Sequence, residues 1–317
     1  MQGVFLDFKS LDNSDIELTA LSAVLSNWQW FDSCTDQQVA ERIQSANVVI
    51  TNKVKLTAAM LQAARQLKLV CVAATGTNNV DLEAAAALGI TVCNVRNYAT
   101  PSVVQHVFTL MLALTTRLPQ YQAAVAQGMW QKSSHFCLLD FPITEISGKT
   151  LGIVGYGVLG QAVAKVADAF GMEVLISARP GTNVRAGRMA LRDVLGLSDV
   201  VSLHCPLTPQ TLGLIGRREL QYMKPNALII NTARGGIIDE VALLDAIKQQ
   251  RIGGAGIDVL TAEPPVRGNP LLSAKLDNLI VTPHIAWSSR EARQRLVNEV
   301  SLNIDAYLKG NPRNVVT

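Results

Sequence analysis

Along most of this chain short aliphatic runs alternate with longer segments of helical spacing, and that alternation narrows the possible folds more than any other feature. The runs are 47–51, 67–73, 90–94, 150–155, 173–177, 200–204, 227–231, 256–259 and 279–282. Strands that read as near-continuous apolar stretches are buried on both faces, and their alternation with helices builds a parallel sheet covered on each side. The expected class is α/β. Helices are expected over 158–170 and 240–249, and Val103, Val107, Leu110, Met111 and Leu114 recur every three or four residues in a third, strongly apolar one. That helix suits either a core element or a subunit contact. At 317 residues the chain exceeds what one core usually serves, so two domains are expected. No repeat or Gly/Ser linker separates them, which puts the crossings at 97–101 and after His284.

Composition removes several function classes. Hydrophobic residues at 49% against 17% charged exclude a disordered chain. The 28 basic and 25 acidic residues leave a net charge of +3, scattered rather than striped, so no nucleic-acid partner is expected. The start, MQGVFLDFKS, lacks the form of a secretory signal. The densest apolar stretch, 107–114, is far shorter than the roughly 20 residues that span a bilayer, so no membrane anchor is expected. Cys34, Cys71, Cys93, Cys137 and Cys205 include no CxxC pair, which argues against disulfides and a metal site and fits reduced thiols in the cytoplasm.

The run from Thr150 leads directly into Gly155-Tyr156-Gly157-Val158-Leu159-Gly160, and a helical pattern follows at once. In this strand, turn, helix setting, Gly155 permits the tight turn, Gly157 admits a pyrophosphate to the backbone N–H groups, and Gly160 allows close helix–strand packing. Dinucleotide binding is expected. The next strand ends Ser177-Ala178-Arg179-Pro180, without the carboxylate that takes the ribose 2′-hydroxyl of NAD. Arg179 can pair with a 2′-phosphate, so NADP is favoured over NAD.

Three later runs each end in polar or charged residues, carrying Arg234, then Asp258 and Glu263, then His284. Ligands of open α/β sheets bind outside the carboxyl ends of the strands, so these residues can share one crevice. An Arg, an acid and a His there suit hydride transfer to a ketone beside a carboxylate. Arg holds the carboxylate and polarises the carbonyl, His supplies the proton, and the acid stabilises imidazolium. His106 reads as helix packing, His135 as loop, and His204 as a strand-end residue near the cofactor.

These motifs, with Ala73-Ala-Thr-Gly-Thr-Asn-Asn-Val-Asp81, His204-Cys-Pro-Leu-Thr208 and Thr282-Pro-His-Ile-Ala-Trp287, give the chain a resemblance to the D-isomer-specific 2-hydroxyacid dehydrogenases. Within them it looks most like the glycerate dehydrogenase or hydroxypyruvate reductase group. The resemblance implies a flavodoxin-like substrate domain from 1–98 and 288–317, and a Rossmann NAD(P) domain, 99–287, inserted between its parts. Substrate would lie in the cleft between the domains. Arg234 would bind the carboxylate and polarise the carbonyl, with His284 as acid and base and Glu263 as its partner. Backbone N–H groups of Thr75 and Gly76 would help hold the carboxylate. Asp258 would face the nicotinamide carboxamide near Thr232, Ala233 and Val103, and Cys205, Pro206 and Thr211 would line the adenosine end. Trp287 and Trp130 either narrow the pocket toward short substrates or pack as ordinary aromatics.

Two departures stand out: Gln105 where many relatives carry Glu, and Ala178 where NAD-preferring relatives carry Asp. The implied function is reversible reduction of hydroxypyruvate or glyoxylate to the D-2-hydroxy acid with NADPH or NADH, in a homodimer. The alternative is a dinucleotide-sensing regulatory or scaffold protein on the same fold, against which the Arg, Glu and His set argues.

Overall fold

The computed structural model describes residues 1–179, 181 and 184–317, and it divides into two compact units, Met1–Ala99 with Trp287–Thr317 and Thr100–Ala286. Pro180, the end of the Ser177 segment, lies outside the described residues. Up to Ala99 the elements are β1 (Gln2–Phe5), α1 (Thr19–Ala23), β2 (Asn27–Trp30), α2 (Asp36–Ile43), β3 (Val48–Thr51), α3 (Ala58–Ala63), β4 (Leu69–Val72), α4 (Leu82–Ala87) and β5 (Thr91–Cys93). The second unit holds α5 (Thr100–Thr115), α6 (Leu118–Ala126), β6 (Thr150–Val154), α7 (Val158–Ala169), β7 (Glu173–Ile176), α8 (Leu191–Leu197), β8 (Val200–Leu203) and α9 (Arg217–Tyr222). It continues with β9 (Leu228–Asn231), α10 (Glu240–Lys248), β10 (Gly254–Ile257), α11 (Pro270–Ser273) and β11 (Leu279–Val281), after which α12 (Arg290–Leu308) returns to the first unit.

The first unit's sheet is parallel throughout in the order β2-β1-β3-β4-β5, the flavodoxin-like arrangement. Side chains alternate across it. Val4, Leu6, Val49, Val70 and Val72 pack with Val39, Ile43 and Leu61 of α2 and α3. Phe5, Val48, Ile50, Leu69 and Cys71 pack with Leu21 of α1 and with Leu296, Val300 and Ile304 of α12. The order reverses between β1 and β3, and there the buried carboxylate of Asp7 accepts the N–H groups of Asn52, Lys53 and Val54 at 2.7 to 3.2 Å. One side chain thus ties the two strand ends together.

The second sheet is also parallel, in the order β11-β10-β9-β8-β6-β7. Its order reverses between β6 and β8. Outside β7, where a Rossmann sheet carries a further strand, a single bridge among the described residues pairs Ser177 with Met189. Leu195, Leu220 and Leu243 of α8, α9 and α10 pack against Val201, Ile229 and Ile257 on one face, and α5 packs against β9, β10 and β11. Among the described residues no helix is long and apolar enough to cross a membrane.

Both sheets belong to the α/β class that the alternation implies. Four elements differ from the sequence reading. β1 and β2 carry no aliphatic run of their own: β2 reads Asn-Trp-Gln-Trp and is held by rings, with Trp30 5.6 Å from Phe5 and 5.4 Å from Trp28. β10 begins at Gly254, two residues before the aliphatic run, because its glycines supply no apolar side chain to read. The polar α12 carries no apolar run to read, because charged residues lie between its buried ones and these include Ser301 and Asn303.

Replacing Asp7 by Ala leaves three N–H groups of the β3 loop without their acceptor, a loss of about 1–3 kcal/mol for buried donors. D7A is expected to lower the urea midpoint of unfolding more than D7N, which keeps one carbonyl oxygen. Equal midpoints for D7A and the parent would remove Asp7 from this role.

Candidate active site

β6 ends at Val154 and the chain turns at Gly155, whose φ of +99° belongs to the region glycine favours. A Cβ here would sit 2.5 Å from the Cys205 nitrogen and 2.6 Å from the His204 carbonyl carbon. The turn therefore lies directly against the end of β8, at the reversal of strand order where ligands of such sheets bind. Gly157 caps α7 without a side-chain bond and faces open space, while Gly160 is buried against the Gly155 carbonyl. The first N–H groups of α7, around Gly157, Val158 and Leu159, are those a pyrophosphate would take.

Beside this turn the chain after β8 forms a short loop of its own. Thr211 donates its hydroxyl to the Pro206 carbonyl at 2.6 Å and accepts the Thr208 N–H at 2.7 Å, so its side chain closes the 206–211 loop. Cys205 is buried, and burial pushes its thiol pKa up. His204 is bonded through Nε2 to Ser202 at 2.9 Å, has Nδ1 buried without a partner among the described residues, and is pushed down by burial to about 4, so it is neutral near pH 7. At the tip of β7, Ala178 donates its N–H to Met189 at 2.8 Å and Arg179 is exposed.

β9, β10 and β11 lie side by side in register, Asn231 opposite Ile257 and Ile257 opposite Val281. The segments bearing Arg234, Asp258 with Glu263, and His284 consequently leave one edge of one sheet. A side chain at Gly235 would run into the Leu260 carbonyl, so the Arg234 loop rests on the turn after β10. In that turn Leu260 donates its N–H to Glu263 Oε1 at 2.8 Å, and Glu263 Oε2 lies 2.6 Å from His284 Nδ1. This chain of contacts links the arginine loop to the imidazole. Among the described residues His284 Nε2 has no protein partner, and the ring is about a quarter exposed. Arg234 Nη1 donates to the Ala233 carbonyl at 2.7 Å, which holds its stem and leaves the remaining donors of the fork.

Asp258, buried at 1% exposure, organises this edge. Its Oδ1 accepts the Thr282 hydroxyl at 2.6 Å and the Ile285 N–H at 2.9 Å, and its Oδ2 accepts the Ala286 N–H at 2.9 Å. Its carbonyl accepts the His284 N–H at 2.8 Å. His284 itself sits at φ +55°, a backbone state that costs a non-glycine residue about 1–3 kcal/mol. The grip on both sides holds it there.

One reading of the sequence needs correction. His106, taken as helix packing without charged company, places Nε2 2.9 Å from the Thr282 hydroxyl and 3.5 Å from Asp258 Oδ1, and so belongs to this network. Its helical position hid the link, since Thr282 is 176 residues away. Thr232, after β9, has a buried hydroxyl without a partner among the described residues, as expected of a group that meets a ligand. Ala233 donates its N–H to Asn231 at 3.0 Å, and Val103 is buried on α5. In the first unit, Thr75 donates its hydroxyl to the Val95 carbonyl at 2.8 Å with Gly76 following it, and Trp287 packs edge-on to Tyr98 at 6.4 Å. Trp130 is exposed, its indole N–H donating to Phe136 at 2.9 Å.

The glycine turn at the sheet reversal and the Glu–His pair at the neighbouring strand ends define a nicotinamide-dependent oxidoreductase. Residues 108–286 match the NAD binding domain of the D-isomer specific 2-hydroxyacid dehydrogenases, and the chain belongs to that family. It is 47% identical to the glycerate dehydrogenase of Methylorubrum extorquens, over 99% of this chain and 98% of that one. Identity to the hydroxypyruvate reductase of Blautia hydrogenotrophica is 38%, over 100% of this chain and 99% of the other. Among solved structures, an acyclic imino acid reductase in complex with NADPH and D-Arg superimposes with a TM-score of 0.87 at 30% identity, covering 100% of both chains.

Removing the Asp258 carboxylate strands the Ile285 and Ala286 N–H groups, a loss of about 1–3 kcal/mol. D258A is expected to unfold at lower urea and to lose at least about tenfold in turnover, with D258N intermediate. Urea titration and steady-state rates check this, and a D258A protein matching the parent in both would refute it.

Proposed function

We propose that the protein reduces hydroxypyruvate or glyoxylate to the corresponding D-2-hydroxy acid, with NADPH preferred to NADH. The observation that carries this is the 2.6 Å pair of His284 Nδ1 with Glu263, which leaves the other ring nitrogen without a protein partner among the described residues. When bound, the nicotinamide supplies the hydride. His284 Nε2 gives its proton to the carbonyl oxygen in reduction and takes it back in oxidation. Glu263 holds the imidazole in one orientation and stabilises its protonated form. Arg234 pairs with the substrate carboxylate and polarises the adjacent carbonyl. Thr232, with its unpartnered hydroxyl, meets the nicotinamide end, and the turn from Gly155 to Gly160 takes the pyrophosphate. The names of the two similar chains, a glycerate dehydrogenase and a hydroxypyruvate reductase, support a three-carbon substrate. NADPH preference is supported by Ala178-Arg179 and by the NADPH bound to the similar imino acid reductase. The five unpaired cysteines suit the reducing cytoplasm.

Spectrophotometric assays with hydroxypyruvate, glyoxylate and pyruvate, each with NADPH and NADH, test the reading. H284Q is expected to lower turnover about 100- to 10,000-fold. R234A is expected to raise KM and to lower kcat/KM by at least about tenfold, the loss of a charge-assisted pair. Cofactor binding without turnover of any keto acid would favour the regulatory alternative.

A homodimer is the state we infer for the active protein. Phe136 is 90% and Leu139 84% exposed, and Leu118, Trp130 and Ile143 extend the same apolar stretch. So much exposed apolar surface in one segment fits coverage by a second copy. Sedimentation is expected to give a dimer for the parent and a monomer for F136D/L139D; a monomeric parent would overturn this.

A further inference from the structure

Three segments of the second unit meet at the tip of β7. Ala178 donates to the Met189 carbonyl at 2.8 Å and Met189 donates to Ile176 at 2.9 Å, so residues 188 and 189 run beside the strand end. Arg188 Nη1 donates to the Ser177 carbonyl at 3.3 Å. The same guanidinium lies 5.1 Å from the centre of the Tyr156 ring, and Tyr156 is the residue between the first two glycines of the turn. A cation held by a carbonyl on one side and an aromatic face on another is fixed in direction. Among the described residues only Nη1 is engaged in a hydrogen bond, so Nη2 and Nε keep donors to offer.

The local charge is one-sided. Residues 174–192 include Arg179, Arg185, Arg188 and Arg192 and no Asp or Glu. Arg192 is turned toward the Tyr222 ring at 4.9 Å, whereas Arg188 is half-buried at the strand tip. Position 178, where an acid would accept the ribose 2′-hydroxyl, is alanine. A dianionic group at that spot would meet no carboxylate from residues 174–192 and a preoriented fork.

We propose that Arg188 is a specificity-determining residue of this chain, holding the 2′-phosphate of NADP together with Arg179. The proposal rests on the NADP reading above and adds to it the residue that the sheet edge itself fixes in place.

Calorimetric titration of the full-length protein with 2′,5′-ADP and with 5′-AMP separates the two ideas. These probes differ by the 2′-phosphate alone. The parent is expected to bind 2′,5′-ADP at least about tenfold more tightly, and R188Q to lose about tenfold of that ratio, the range for hydrogen bonds to a charged group. R188K, which keeps the charge without the fork, is expected to fall between them. A parent with no preference for 2′,5′-ADP would overturn the NADP reading and the proposal with it. A parent that discriminates and an R188Q protein that discriminates equally would overturn only the role of Arg188. Equal weakening of both ligands in R188Q would mark a structural role and overturn the proposal too.

Discussion

The catalytic edge depends on one buried carboxylate. Asp258 receives the hydroxyl of Thr282 and the N–H groups of Ile285 and Ala286, while its own carbonyl takes the His284 N–H. Each of these bonds lies on the short stretch that presents the imidazole. A histidine in the left-handed backbone region would relax to a cheaper state if left alone. Here the alternatives would strip a buried carboxylate of its donors, which is worse. The position of the imidazole is thus set by main-chain bonds, and the Glu263 contact only selects the ring orientation.

The same economy of parts marks the nucleotide end. Gly155 and the start of the β8 loop are in contact where the sheet changes direction, and no side chain fits between them. The adenosine loop closes on itself through Thr211. The first feature brings the start of α7 to the point where the strand order reverses, which is the arrangement that binds phosphate with little reorganisation.

Much of this was legible in the sequence, and the reason differs by element. The strands after Thr150 announce themselves because they are buried on both faces and so read as aliphatic runs. The residues at their ends stand out because polar groups there interrupt those runs. β2 and α12 were hidden by the opposite property: one is held by rings and the other has charged residues between its buried ones. His106 could not be found by pattern at all, since an isolated polar residue on a greasy helix looks like a tolerated exception until its distant partner is known. Arg188 was missed because the bridge at Met189 is too short to leave a period.

That bridge has a wider meaning. A full strand beside β7 would bind residues 184–189 to the sheet through several ladder bonds, and any substitution there would be felt by the core. Among the described residues a single bridge is present, so the main chain at 188 and 189 is held to the sheet by two hydrogen bonds, and a substitution there disturbs few ladder contacts.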